Sequence, residues 1–264
     1  MRVLILALDG LDCRYVEKWR LKNLLQRVHG TYSVAEFRQV KNLSLSVWAT
    51  FITGVPHHFG NWWDKPALIK IADKIPISDR WKWRFAKLLG ARIIDKHFLK
   101  APSLFDQVEG AIAVNVPVYN EQTRYHVRKL DALHFHGIEA YKRVVKQNHV
   151  ERLNETLDAI ESSGWRLLMS WFDIADSLGH VTPLDGEEMY WVYRSLDGMV
   201  EVLKKKADEC ICLIVSDHGM EWQGGFGEHT QTAFWSLNYE TGWKPKSVTD
   251  FYPRITKWLG SGEA

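Results

Sequence analysis

The sequence predicts an α/β protein built on a mostly parallel central sheet. Three observations predict it. Short apolar runs at Val3–Leu8, 111–116, Leu167–Phe172 and Ile211–Val215 lack polar alternation, as strands covered on both faces do. Longer segments of helical period separate them. The first run stops at Asp9-Gly10, the second at Pro117 and the last at Ser216-Asp217, all turn-forming residues.

The elements follow in order. Residues 16–28 read as an amphipathic helix, with Trp19, Leu21, Leu24, Leu25 and Val28 on one face. A short strand is expected at 33–37. A short helix is expected at 47–52, stopped by Thr53-Gly54-Val55-Pro56. Residues 141–162 form a long polar segment of one or two helices. Residues 187–206 are helical, with Tyr190, Val192, Leu196, Met199, Val200 and Leu203 supplying most of the apolar positions. Thr232–Leu237 reads as a late strand and 248–259 as a closing helix. The stretch from about 62 to 100 breaks the rhythm and reads as a small basic, Trp-rich insertion or cap on a single domain spanning 1–264.

Composition narrows the class. Of the 264 residues, 46% are hydrophobic and 25% charged, enough apolar material for a substantial core. A formal net charge of +2 gives no electrostatic reason to expect nucleic acid. Three cysteines, Cys13, Cys210 and Cys212, cannot make a disulfide framework and suit a reducing compartment. No run reaches the ~20 apolar residues of a membrane helix. The Val3–Leu8 run is shorter than the hydrophobic stretch of a signal peptide and ends on Asp9, so the reading places the protein in the cytoplasm.

In open α/β sheets the chemistry gathers beyond the carboxyl ends of the strands. Asp9, Asp176 and Asp217 stand there, with His180 four residues after Asp176, His218 next to Asp217, and His229 after the turn Gly224-Gly225-Phe226-Gly227. Any one of the Asp residues also fits a helix cap or a turn. Together, three Asp and three His without Cys offer the oxygen and nitrogen donors that suit Zn²⁺ or Mn²⁺, in a number that suits two ions. Ser44 and Ser46 open the predicted short helix, where a hydroxyl can cap the helix or serve as a nucleophile. His134 and His136 have the look of a metal pair but read better as surface residues, and Cys210 and Cys212 as packing residues.

These residues resemble the alkaline phosphatase superfamily, in particular its type I phosphodiesterase/nucleotide pyrophosphatase branch. The marks are Leu8-Asp9-Gly10, Ser44-x-x-x-Trp48-x-Thr50-x-x-Thr53-Gly54, Asn115-Val116-Pro117, Asp176-x-x-Gly179-His180, Val215-Ser216-Asp217-His218-Gly219-Met220 and Gly227-x-His229-Thr230, all in the family's order. The resemblance implies an alkaline-phosphatase-like core with helices on both faces of the sheet. It implies a hydrolase with two divalent ions, Zn²⁺ foremost, with Mn²⁺ or Mg²⁺ as alternatives. Asp9, Ser44, Asp217 and His218 would hold one ion, and Asp176, His180 and His229 the other. Ser44 falls at the nucleophile position, whereas Ser46 falls where the family commonly has proline.

The chain also departs from the pattern. Phe59 replaces a His of the family's Pro-x-x-His-Gly run. Asn61 is the nearest match, at a shorter spacing, to the Asn that holds a phosphoryl oxygen. Trp48 stands where the related sulfatases need Arg, which disfavours sulfate esters. The implied substrate is a small phosphate ester or nucleotide, attacked through a phosphoseryl intermediate on Ser44. A phosphomonoesterase or phosphotransferase would use the same site, and a non-catalytic scaffold is the third reading, against which the complete ligand set counts. Trp62 and Trp63, with Trp81 and Trp83, interleave with Lys65, Arg80, Lys82, Arg84 and Lys87. That pattern fits a nucleobase platform, with Trp62 and Trp63 as substrate contacts, or a cationic helix whose rings face the core.

Overall fold

The computed structural model describes residues 1–60, 81, 94–120 and 123–260. Its strands are β1 (Val3–Leu8), β2 (Val28–Ser33), β3 (Ala111–Val114), β4 (Leu167–Phe172), β5 (Ile211–Val215), β6 (Met220–Gln223), β7 (Phe226–His229) and β8 (Thr232–Leu237). The described helices are α1 (Cys13–Lys18), α2 (Lys22–Leu25), α3 (Leu43–Thr53), α4 (Leu104–Gln107), α5 (Thr123–Glu161), α6 (Ile174–Gly179), α7 (Glu187–Ala207) and α8 (Phe251–Gly260). None is long and apolar enough to cross a membrane.

Six strands form one sheet in the order β2-β8-β5-β1-β4-β3. The four strands from β5 to β3 are parallel, and β8 runs antiparallel to both β5 and β2. β1 is therefore central, with Val3 paired to Leu167 on one side and Ile211 on the other. Its alternation explains its unbroken apolar run. Leu4, Leu6 and Leu8 join the core under α1, α2, α6, α7 and the second half of α5, whereas Val3, Ile5 and Ala7 join the core under α3 and α8. Helices cover both faces, as expected. Because β1, β4 and β5 are parallel neighbours, their carboxyl ends deliver Asp9, Asp173 and Asp217 to one edge.

Two sequence expectations fail, for local reasons. The helix expected over 16–28 is two short helices, because Arg20 and Gln26 take positive φ values of 52° and 54° and break it twice. Val28 then opens β2 against Leu237, so the strand expected at 33–37 lies upstream, and Ala35–Phe37 is a 3-10 turn. β2 is an edge strand with mostly solvent-facing side chains, which removes the apolar run that would announce it. The long polar segment is helical from Thr123, well before 141, and breaks at Gly137 (φ 77°). Residues 248–259 begin with a 3-10 turn before α8.

Three local devices position the site. Asn42 Oδ1 accepts the Leu45 amide and starts α3, and Gly54 ends it in the left-handed region at φ 71°. Gly224 and Gly225, at φ 59° and 88°, form the two-residue turn of the β6–β7 hairpin, which pairs His229 with Met220. Buried Asp12 caps α1 through the Arg14 amide and also accepts the Met220 amide at 3.1 Å, tying the end of β1 to that hairpin. The insertion expected at 62–100 lies largely outside the described residues. At its end, Lys100 donates its amide to buried His57 Nε2 at 2.9 Å.

Gly10 has φ +69°, and a Cβ there would lie 2.8 Å from the Asp176 Cα. Gly10→Ala is expected to lower the unfolding free energy by at least about 1–2 kcal/mol. Gly198→Ala, in the exposed interior of α7 with nothing near the added carbon, is expected to raise it by about 0.5–1 kcal/mol. Urea denaturation of both variants reads the opposite signs.

Candidate active site

Asp9 leaves β1 and Asp217-His218 leave β5, and all three are buried. His218 Nε2 lies 3.2 Å from Asp9 Oδ1, 3.4 Å from Asp217 Oδ2 and 3.3 Å from the Ser44 hydroxyl in the first turn of α3. His218 Nδ1 donates to the Gly219 carbonyl at 3.1 Å, which orients the ring so that Nε2 faces these oxygens. The other Asp9 oxygen accepts from two indoles, Trp171 Nε1 at 3.1 Å and Trp48 Nε1 at 3.4 Å.

A second group adjoins the first. Asp176, in the helix that follows β4, places Oδ1 at 3.2 Å from His180 Nε2 and 3.3 Å from His229 Nε2. The same oxygen is 3.7 Å from His218 Nε2, so it stands between the groups. His180 Nδ1 donates to the Gly227 carbonyl at 2.6 Å, which turns its Nε2 toward His229 Nε2 only 3.0 Å away. Two such nitrogens at that distance share one proton or one cation. The His218 and His229 rings stack at 3.7 Å, and the exposed Phe226 ring stacks on His180 at 5.0 Å.

The electrostatics are those of crowded carboxylates. Burial raises the Asp9 carboxyl well above its usual range, and the charges of Asp217 and Asp176 add to the effect. Burial pushes Asp217 up to about 7. Burial would raise Asp176 too, but the His180 and His229 imidazoles hold it well below its ordinary value. Against the effect of burial, Asp176 brings His180 up to about 9. Asp9 likewise raises His218. His229 is lowered by burial and by the neighbouring His218.

The donor set fits divalent cations. One oxygen each of Asp9, Asp176 and Asp217 is buried without a hydrogen-bond partner. Asp9, Asp217 and His218 form one group that could hold an ion, and Asp176, His180 and His229 another, with donor atoms in each group within 4.8 Å of one another. Hard oxygens and imidazole nitrogens without sulfur match Zn²⁺ and Mn²⁺. Seven of the residues singled out in the sequence thus come together: Asp9, Ser44, Asp176, His180, Asp217, His218 and His229.

The structure also separates Ser44 from Ser46. Ser46 is buried, donates to the Asn42 carbonyl at 2.8 Å and accepts the Phe59 amide at 2.9 Å. Ser44 is half-buried and lines a cavity of about 320 Å³. His134 and His136 are exposed and belong to neither group, and burial raises the Cys210 thiol to about 11 and raises the fully buried Cys212 thiol as well. Asn61, Trp62 and Trp63 lie outside the described residues.

The cavity reveals residues that the sequence did not single out. Its walls include Lys41, His126, Lys129, Arg152 and Asp173 as well as Asp9, Ser44 and Asp176. Asp173 accepts from Lys129 Nζ and Arg152 Nη1. Lys129 also donates to Ser177 Oγ at 2.8 Å. The one available signal was Asp173, three residues before Asp176 at the same strand end. Its cationic partners come from a polar helix with no motif.

The comparisons with known proteins agree with this architecture. Human ectonucleotide pyrophosphatase/phosphodiesterase 5 superposes with a TM-score of 0.53 at 12% identity, over 98% of this chain and 95% of that one. Alkaline phosphatase from the Antarctic bacterium TAB5 gives 0.53 at 12% identity, over 98% of each chain, and a variant of it was solved with Mg bound. At such identities the likeness is one of fold. Among curated proteins, no sequence matches. The sequence model described as type I phosphodiesterase/nucleotide pyrophosphatase matches residues 3–223. With that match over most of its length, on this sheet and with these residues at its edge, the chain belongs to the type I phosphodiesterase/nucleotide pyrophosphatase family and is a phosphoester hydrolase of that type.

Proposed function

We propose that the protein hydrolyses phosphodiester or nucleotide pyrophosphate bonds through a covalent phosphoseryl intermediate on Ser44. Two divalent cations, Zn²⁺ foremost, would be held by Asp9, Ser44, Asp217 and His218 and by Asp176, His180 and His229. The observation that supports this reading is the convergence of three carboxylates and three imidazoles in two adjoining groups, with the Ser44 hydroxyl beside His218 at 3.3 Å. Such ions, when bound, lower the pKa of a serine hydroxyl and neutralise charge on phosphoryl oxygens.

The chain's own residues supply position and polarity. Thr50 and Thr53 of α3 commit their hydroxyls to the Ser46 and Ala49 carbonyls, and Ser46 commits its own to Asn42. Ser44 Oγ has no such carbonyl partner and faces the cavity. The first turn of α3 offers free amides and the positive end of the helix dipole to an anionic phosphoryl group. Attack by Ser44 Oγ forms an O–P bond as the ester P–O bond breaks, and the leaving alcohol or phosphate takes the electron pair. Water then attacks phosphorus, the Oγ–P bond breaks, and Oγ regains a proton. Asn61, at a phosphoryl oxygen, and Trp62 and Trp63, beside the substrate, complete the proposed site on the strength of the sequence alone.

One observation favours a second reading. Lys41, Lys129 and Arg152 line the same cavity as Ser44, and cations there suit the additional charge of a phosphomonoester.

Bis-p-nitrophenyl phosphate is expected to be turned over faster than p-nitrophenyl phosphate, and the reverse order selects the monoester reading. Ser44→Ala is expected to lower kcat by at least about a thousandfold. Quenching the turning-over wild type in acid and mapping the phosphorylated peptide is expected to place the phosphate on Ser44, and a label elsewhere overturns the nucleophile.

Zn²⁺ added to chelated protein is expected to raise the melting temperature, by mass action on the folded state. Asp217→Asn removes one of three crowded carboxylates. The metal-free variant is therefore expected to melt above the metal-free wild type, while its response to Zn²⁺ shrinks. A thermal scan with and without metal reads both effects.

A further inference from the structure

One buried imidazole outside the two donor groups has partners that fix its protonation state. His57, in the turn that follows α3, is buried. Its Nδ1 lies 2.6 Å from the Val55 carbonyl oxygen, and its Nε2 lies 2.9 Å from the Lys100 amide nitrogen. A carbonyl can only accept and a backbone N–H can only donate. The ring is therefore neutral, with its proton on Nδ1 and a lone pair on Nε2 that receives Lys100. Burial lowers its pKa from the ordinary histidine value, the Val55 hydrogen bond opposes that, and the charges of Lys100 and His58 reinforce it.

These bonds join separate parts of the chain beside the helix of Ser44. The His57 amide donates to Thr50 Oγ1 at 3.0 Å, which ties its own backbone to α3. Lys100 Nζ donates to the Pro56 carbonyl at 3.0 Å, a second link across the same junction. Lys100 ends a short arm, residues 94–100, whose Ile94, Phe98 and Leu99 pack with Leu45 and Ala49 of α3. Leu45 follows Ser44 directly and lines the same cavity. On the other branch, Phe59 accepts the Asn42 amide at 3.2 Å and donates its own amide to Ser46 Oγ at 2.9 Å. Asn42 and Ser46 stand two residues before and two after Ser44. The first turn of α3 is thus held by Phe59 and by the 94–100 arm, and His57 is where the segments carrying both are fastened together.

We infer that His57 is a positioning residue for Ser44: its Nε2 lone pair fastens the 94–100 arm to the turn after α3 and so fixes where that helix presents the hydroxyl. This rests on the reading of Ser44 as the nucleophile. No bond of the reaction is made or broken at the imidazole, and its effect is geometric. A nucleophile misplaced by about 1 Å loses on the order of a hundredfold in rate. Without an acceptor on residue 57, the Lys100 amide turns to water and the arm loses its fastening.

The fastening is read first without any turnover. In the ¹⁵N-labelled full chain near neutral pH, long-range ¹H–¹⁵N correlation of the histidine rings is expected to show a neutral Nδ1–H ring whose signals vanish in His57→Gln. A charged ring or the Nε2–H tautomer at His57 overturns the inference, whatever becomes of Ser44.

The second arm is hydrolysis of the better of the two nitrophenyl esters with Zn²⁺ present, at folded fractions matched by circular dichroism. His57→Leu fills the space without a lone pair and is expected to lower kcat about tenfold or more, with KM within about twofold. His57→Gln, whose side-chain carbonyl can accept the Lys100 amide, is expected to keep kcat within about threefold of the wild type. Wild-type kcat in His57→Leu overturns the positioning role, and so does a loss that His57→Gln shares in full. Should His57→Leu fail to fold, His57→Gln decides at the same threshold of about threefold, a larger loss overturning the role. A wild type that turns over neither ester removes the Ser44 reading and the positioning role with it, and the ring signals then show separately whether the fastening itself exists.

Discussion

The like-charge contact among Asp9, Asp176 and Asp217 is the constraint around which this molecule is arranged. Parallel strands that are neighbours in the sheet end at the same edge, so their first loop residues are forced together. Here those loops supply three carboxylates, two of them raised by burial, in a region closed by apolar helices on both faces. The imidazoles answer part of that charge. Asp176 takes His180 and His229, while Asp9 and Asp217 share one His218. What the side chains leave unanswered is the charge that divalent cations would take up in the proposed reading.

Tryptophan takes part in this arrangement. An indole is a donor only, with an apolar body that packs in a core. Trp48 from α3 and Trp171 from β4 both point an N–H at the same Asp9 oxygen. They satisfy that oxygen without adding charge and leave its partner facing the site. Trp171 also lies over Arg152, so one ring links the Asp9 carboxylate to the cation pair in the cavity. Part of the unusual tryptophan content of the chain is thus a set of neutral supports for charged groups.

Much of the fold was legible because the informative strands are central. β1, β4, β5 and β8 were readable from apolar runs alone, since each is covered and must be apolar throughout or nearly so. β2 was not, because an edge strand with solvent on most of its side chains carries no such signature. The double break at Arg20 and Gln26 was illegible too, as neither residue type advertises a positive φ. Asp9, Ser44, Asp176, His180, Asp217, His218 and His229 were found through strand-end position and motif order. Lys129 and Arg152 were hidden because helix α5 is polar along its length, and only the packed fold shows which of its cations face inward. The choice between Ser44 and Ser46 came from the resemblance, and its physical reason is visible only in the Ser46 hydrogen bonds.

The converging side chains are drawn from both ends of the chain, from Asp9 on the first strand to His229 on the late hairpin. Neither group of three is local in sequence: one joins residue 9 to 217 and 218, the other 176 and 180 to 229. A polypeptide still lacking its final quarter holds Asp9, Ser44, Asp176 and His180 but neither complete group. Contacts of such long range form late, after the loops they close have been drawn in. On the proposed two-cation reading, cation affinity would therefore arise only when the whole parallel core has assembled. Partly folded chains would offer no compact set of donors to compete for an ion, and an ion held by both ends of the chain would stabilise the finished topology selectively.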